Sequence, residues 1–372
     1  MKRKSICILT CLVLLTGCWD TRQFKDVKLV LSIGYDQNED GTLTETVSIP
    51  TVKRSTEGPT SETIQILTTE GKTPREARDH TDQMIANTFD PSKAKVILMG
   101  EELAENSIQP IFDQFYRNPN NNLNAYIAVV EGKAEDAIRM TPINESSVSK
   151  YISGLLEGQV AATHSTGENI EVLHGELLEP GIDFAVPLLS VDTEQNLLNF
   201  QGLALFHKDA YTGKFIPNHQ TTLLMLLEGI RGKIASFTLK VTDEEENAIR
   251  NYLTFRVMRN KQDMKVKVEN DQVTADITMK LKVRVVEYPR DHLTSKKTIK
   301  ELNKKLSDLL TEQAEGIIAT VQEANSDVFQ IGRHVHSYHP DYWGKVKWEE
   351  EFPNITITPK VEVDIVQYGV IS

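Results

Sequence analysis

The chain has 372 residues, with 41 Lys and Arg against 53 Asp and Glu, a formal net charge of −12 at pH 7. Such an acidic balance argues against nucleic acid, whose binding depends on Lys and Arg neutralising phosphates, and against a surface that adsorbs electrostatically to anionic lipid, which leaves acyl chains as the main membrane contact. The length is ample for two or three hydrophobic cores.

Lys2, Arg3 and Lys4 precede an apolar run from Ile6 through Leu15, which ends in Thr16-Gly17-Cys18. A basic start, a short apolar stretch and small residues form the layout of an export signal. The run is about a dozen residues, short of the roughly 20 that span a bilayer, and no later run reaches that length. Leu15-Thr16-Gly17-Cys18 resembles the lipobox of bacterial lipoproteins. That resemblance implies a signal peptide over 1–17, cleavage by signal peptidase II between Gly17 and Cys18, and an N-palmitoyl, S-diacylglyceryl Cys18. Two or three acyl chains on one residue hold stably where a single chain binds only marginally. The other two cysteines, Cys7 and Cys11, lie in the leader. With Cys18 acylated, the mature chain has no thiol for a disulfide, a nucleophile or a cysteine-ligated zinc.

In chain order, Val27–Gly34 and Leu43–Ile49 flank the turn residues Asn38–Gly41, which predicts a β-hairpin ended by Pro50 and the polar run Arg54–Ser61. Ile64–Leu67 is a predicted strand. Thr73, Pro74 and Glu76 have the spacing of a helix start, with Thr73 as N-cap. Strands over 95–100 and 123–130 alternate with helices over 108–116 and 134–140, an order that predicts an α/β unit. Helical spacing follows in Val148, Tyr151, Ile152, Leu155 and Leu156. Strands return over 184–189 and 203–206. An isolated hairpin is marginally stable, so these strands are expected to complete its sheet around an inserted unit. Beyond 232, strands are predicted over 234–241, 253–258, 264–268, 273–286 and 355–368. Between them, Ile299, Leu302, Leu306, Leu309, Leu310, Ile317, Ile318 and Val321 give the long helix 295–325 one apolar stripe to bury.

The fold class is therefore α+β, with three mixed domains. These are a discontinuous sheet domain (18–55 plus 182–230), an inserted α/β domain (56–181) and a C-terminal domain (231–372) in which an antiparallel sheet packs on one long helix.

The search for chemistry finds little. Gly229 and Gly232 are isolated and form no phosphate loop. His164-Ser165-Thr166-Gly167 lacks the glycine that a nucleophile elbow needs at Thr163. His334, His336 and His339 could ligate zinc only from an extended segment, since a helix points the first two to different faces. Tyr338, Tyr342, Trp343 and Trp348 around them suggest a packed turn. The acidic runs 244–246 and 349–351 suit solvated faces or helix starts. No carboxylate pair stands out for acid/base work, so no enzyme, metal or cofactor is expected.

Gly17-Cys18-Trp19-Asp20, Ile33-Gly34-Tyr35-Asp36, Lys95–Ala104, Arg117–Tyr126, Gly202–Asp209 and Pro340–Asn354, in that order, resemble the Ger(x)C family of spore-germination lipoproteins. Tyr35 departs from the Val, Ile or Leu more usual there. The resemblance implies a three-domain mixed fold and a non-enzymatic C subunit of a nutrient germinant receptor. Its implied partners are integral-membrane A and B subunits, with the bilayer contacted through Cys18 on the outer face of the spore inner membrane. No catalytic residue is carried over. The competing readings are a solute-binding lipoprotein that itself captures the germinant, with Trp343 and Trp348 as candidate sugar platforms, and a tethered cell-wall hydrolase with no identifiable catalytic set.

Overall fold

A computed structural model describes residues 27–53, 61–141, 145, 147–290, 293 and 295–368. The hairpin is present as β2 (Ser32–Gln37) and β3 (Leu43–Lys53), paired from Gln37↔Leu43 to Ser32↔Ser48 around a turn with Gly41 at φ 81°. β1 (Val27–Leu29) pairs separately with β5 (Thr88–Asp90). Pro50 does not end β3, which continues to Lys53 against β4 (Ser61–Gly71). Ser48 faces β2, and Leu31, just before that strand, donates its N–H to the Ser48 carbonyl at 3.0 Å. Pro50 faces the same way just beyond the end of that ladder, so its missing N–H leaves no bond unmade.

Helix α1 (Pro74–Met84) begins as its capping residues predict, with Thr73 Oγ1 accepting from Glu76 N and Glu76 Oε2 accepting from Lys72 N. There follow β6 (Val96–Gly100), α2 (Glu101–Asn106), α3 (Gln109–Arg117), β7 (Tyr126–Val130), α4 (Ala134–Arg139), α5 (Val148–Ala161) and α6 (Ile170–Leu178). Next come β8 (Ala185–Asp192), β9 (Leu197–His207), β10 (Ala210–Pro217) and α7 (Asn218–Leu227).

One eight-stranded sheet takes the order β10-β9-β8-β7-β6-β2-β3-β4, and β8, β7, β6 and β2 run parallel at its centre. Strands β4, β6 and β7 of 56–181 thus share a sheet with strands on either side in sequence, so the expected first two units contribute to one sheet. The central strands are apolar at nearly every position because both faces are covered. Val96, Leu98, Ala128 and Val130 enter one core, while Ile97, Met99, Ile127 and Val129 enter the other.

The C-terminal region forms the sheet β11 (Ser236–Lys240), β12 (Tyr252–Glu269), β13 (Gln272–Glu287) and β14 (Thr356–Gln367), in that order. The two strands predicted over 253–268 are the single β12, whose polar middle stays in register with β13 through a bulge at Met258. The sheet is mixed rather than antiparallel, because β14 pairs parallel to β13. The cause is helix α8 (Lys296–Glu323). Its 28 residues rise about 42 Å and carry the chain back to the end where β13 starts. Leu302, Leu306, Leu310, Ile317, Ile318 and Val321 of its stripe are buried as predicted. Helix α7, buried from Thr221 to Leu227, lies in the core that the large sheet shares with this layer. Being apolar on every side, it has no stripe for a periodicity search to find.

Candidate functional site

Gly17 and Cys18 lie outside the described residues. The motifs within them turn out to be joints of the fold. Tyr35 is fully buried on β2; its hydroxyl donates to Glu45 Oε2 at 2.9 Å and accepts from Gln114 Nε2 at 2.7 Å. Burial pushes the Glu45 carboxyl up to about 7, against the opposing pull of the Tyr35 bond and of Arg78. Asp36 accepts from Ala134 N at 2.7 Å and Glu135 N at 2.9 Å, which satisfies two free amides at the start of α4.

The remaining helices, α9 (Ile331–Tyr338), α10 (Pro340–Trp343) and α11 (Trp348–Glu351), meet the large sheet along a polar seam. Asp327 is 1 % exposed. Its Oδ1 accepts from Ile331 N at 3.0 Å, and its Oδ2 accepts from Gly332 N at 2.6 Å and Trp348 Nε1 at 3.0 Å. Burial pushes this carboxyl up to about 7 while those donors pull it back. Across the seam, Asp183 Oδ2 accepts from Asp327 N at 2.9 Å and Asp183 Oδ1 from Lys208 N at 2.6 Å. His207 Nδ1 lies 3.3 Å from Asp183 Oδ2, and that bond raises the imidazole pKa. Gly181, at φ 75°, sits so close to Gly332 that a Cβ would come 2.5 Å from its carbonyl carbon, so only glycine fits there.

Beside the seam is a cleft of about 550 Å³ lined by Leu177, Leu178, Pro180, Trp343, Val346 and Lys347, among others. The two tryptophan rings lie 5.8 Å apart at 31°. Both line the cleft, and Trp348, the more deeply buried, has its indole N–H committed to Asp327.

The three histidines do not converge. His334 lies against Tyr338 and His336 against Trp343, both on α9, and His339 caps that helix. Among the described residues no three His, Cys, Asp or Glu are placed to hold a metal ion.

Three carboxylates that sequence inspection passed over gather elsewhere. Glu168 is buried, Glu176 and Glu228 are partly so, and each has one sealed oxygen without a hydrogen-bond partner in the chain. Burial, followed by repulsion from Glu168, pushes Glu176 up to about 8. Burial and then its two acidic neighbours raise Glu228. Glu168 and Glu176 lie near each other in sequence, but Glu228 joins them from the far end of α7, so no local spacing marks the group.

The family described as spore germination protein N-terminal domain matches residues 20–191, and spore germination B3/GerAC-like, C-terminal, matches 201–369. The chain is 24% identical over 358 residues to spore germination protein GerQC of Bacillus cereus, covering 96% of each chain. It is 23% identical over 382 residues to spore germination protein A3 of Bacillus subtilis (strain 168), covering 99% of this chain and 98% of that one. The crystal structure of the GerBC protein shares the fold, with a TM-score of 0.59 at 18% identity over 90% of this chain and 96% of that one. Matched from residue 20 to residue 369, the chain belongs to the GerAC-like family of spore germination proteins.

Proposed function

We propose that this chain is the lipid-anchored, non-enzymatic C subunit of a nutrient germinant receptor. It would be tethered through Cys18 to the outer face of the spore inner membrane, beside polytopic A and transporter-like B subunits. The observation that carries the reading is that both family domains follow one another from residue 20, directly after Leu15-Thr16-Gly17-Cys18. Among the described residues no helix is long and apolar enough to cross a membrane, which suits a tether that supplies the attachment. Holding the folded region at the membrane raises its effective concentration for its partners without adding a contact. The motif residues Asp36 and Trp348 serve capping and packing, which suits a subunit that works by assembly. Changing Cys18 to Ala should leave the fold intact while weakening co-purification with the A and B subunits and slowing germination. Normal assembly of that variant would end the anchoring mechanism.

On the second reading, capture of the germinant by this chain, the cleft beside Trp343 would be the place to look for binding. Calorimetry of residues 19–372 against amino acids and sugars separates the two, since micromolar binding by the isolated chain would favour capture.

A further inference from the structure

Strands β12 and β13 bury alternate residues, Leu253, Phe255 and Val257 against Leu281, Val283 and Val285, and point the others away from the core. On that outward face the register sets cation against cation. Arg256 is opposite Arg284, Arg259 opposite Lys282, and Lys261 opposite Lys280. Directly opposed like charges destabilise a sheet, yet three such pairs follow one another here. Of the six, Lys280 alone has an ion pair among the described residues, with Glu362 at 2.9 Å. The Nε of Arg256 is sealed from solvent and has no acceptor. On the other side of β13, Glu362 and Asp364 of β14 stand opposite Lys280 and Lys282, while Arg256, Arg259, Lys261 and Arg284 face no carboxylate across the strands.

At one end the same surface turns apolar. Val286 is 56 % exposed, Val366 43 % and Tyr252 40 %, close to Ile249 at 65 %. A face on which Arg256, Arg259, Lys261 and Arg284 have no ion pair among the described residues, continued by exposed aliphatic and aromatic side chains, has the chemistry of a surface that lies on lipid headgroups. The net charge of −12 argues against adsorption to anionic lipid, but a net charge does not describe one face, and on this one the cations outnumber the carboxylates.

We propose that the outward face of β12 and β13 is a docking surface for the phosphate headgroups of an anionic lipid bilayer. The three like-charge pairs are the places where headgroup phosphates enter. This contact is additional to any tether and orients the C-terminal sheet against the membrane.

The test is flotation of the full-length chain carrying Cys18→Ser, so that no acyl group contributes, with vesicles of phosphatidylcholine alone or mixed with phosphatidylglycerol. The parent should prefer the anionic vesicles by about tenfold or more, with the preference shrinking at high salt. Arg259→Glu/Lys261→Glu turns two repulsive pairs into attractive ones. It should therefore melt no lower than the parent while losing most of the preference. Replacing Val286 and Val366 with Ser should weaken binding to both kinds of vesicle. A parent without anionic preference, or a charge-reversed variant that keeps it, overturns the proposal. So does a variant that floats unchanged but no longer co-purifies with membrane partners, because the face would then belong to an acidic protein surface. The tether at Cys18 is untouched by any of these outcomes.

Discussion

Asp327 and Asp183 hold each other across the seam: the Asp327 amide donates to Asp183 Oδ2 at 2.9 Å, and the Asp183 amide donates to the Asp327 carbonyl at 3.3 Å. The pair joins the approach to β8 with the start of α9, 144 residues apart in the chain. Two buried carboxylates tolerate this closeness because each accepts N–H donors of its own, Asp183 from Asp327 N and Lys208 N, and Asp327 from Ile331 N, Gly332 N and Trp348 Nε1.

Asp327→Ala strips the acceptor from Ile331 N, Gly332 N and Trp348 Nε1 together. The expected loss is about 2–4 kcal/mol of stability, read from urea unfolding followed by tryptophan fluorescence. Asp327→Asn, which keeps one oxygen, should lie in between. A loss of less than about 0.5 kcal/mol for the alanine variant would show that the seam is stabilised elsewhere.

The carboxyls of Glu168, Glu176 and Glu228 all ionise less readily in the folded chain than in the unfolded one. A raised carboxyl binds its proton more tightly when folded, so its contribution to stability is complete below the unfolded value. It declines as pH rises toward the folded value, here from about 4.5 to about 8 for Glu176. Glu228→Gln removes one member of the group without changing its shape. Relative to the parent, this variant should gain in melting temperature between pH 5 and pH 8. A difference that is flat or reversed over that window would contradict the mutual repulsion of the three.

Helix α8 seals the edge of the C-terminal sheet with side chains. Thr311 Oγ1 accepts from Val361 N at 3.1 Å, Ser307 Oγ from Val363 N at 2.9 Å and Asn303 Oδ1 from Ile365 N at 3.0 Å. Each hydroxyl also donates to the carbonyl one helical turn back, so it presents its lone pairs to the strand. Such an edge would otherwise be open to pairing with another chain. Ser307→Ala should cost about 1 kcal/mol and speed amide exchange at Val363 while leaving the interior of β13 protected. Unchanged exchange at Val363 would mean that water replaces the hydroxyl at no cost.

Much of the secondary structure was legible because it follows local rules. Thr73 caps α1 where the spacing placed it, and the stripe from Leu302 to Val321 is the buried side of α8. The failures have definite causes. Pro50 marked an end only on the assumption that β2 paired that far. The polar middle of β12 looked like a break because its alternation is interrupted by the bulge at Met258. The histidines 334, 336 and 339 attracted attention by their closeness in sequence, yet the helix parts two of them onto different aromatic partners.

By itself the sequence determined the period of each strand and helix, the export-signal layout before Cys18 and the family, since all are carried by neighbours along the chain. Tertiary structure alone decided that eight strands between residues 32 and 217 form one sheet and that β14 runs parallel to β13. It also decided which charges meet. Asp183 finds Asp327, Glu228 finds Glu168, and Arg259 faces Lys282 because the register and the long crossover put them there. Electrostatics acts over ångströms in space, so the net charge of an acidic chain gave no sign of the cationic face of β12 and β13.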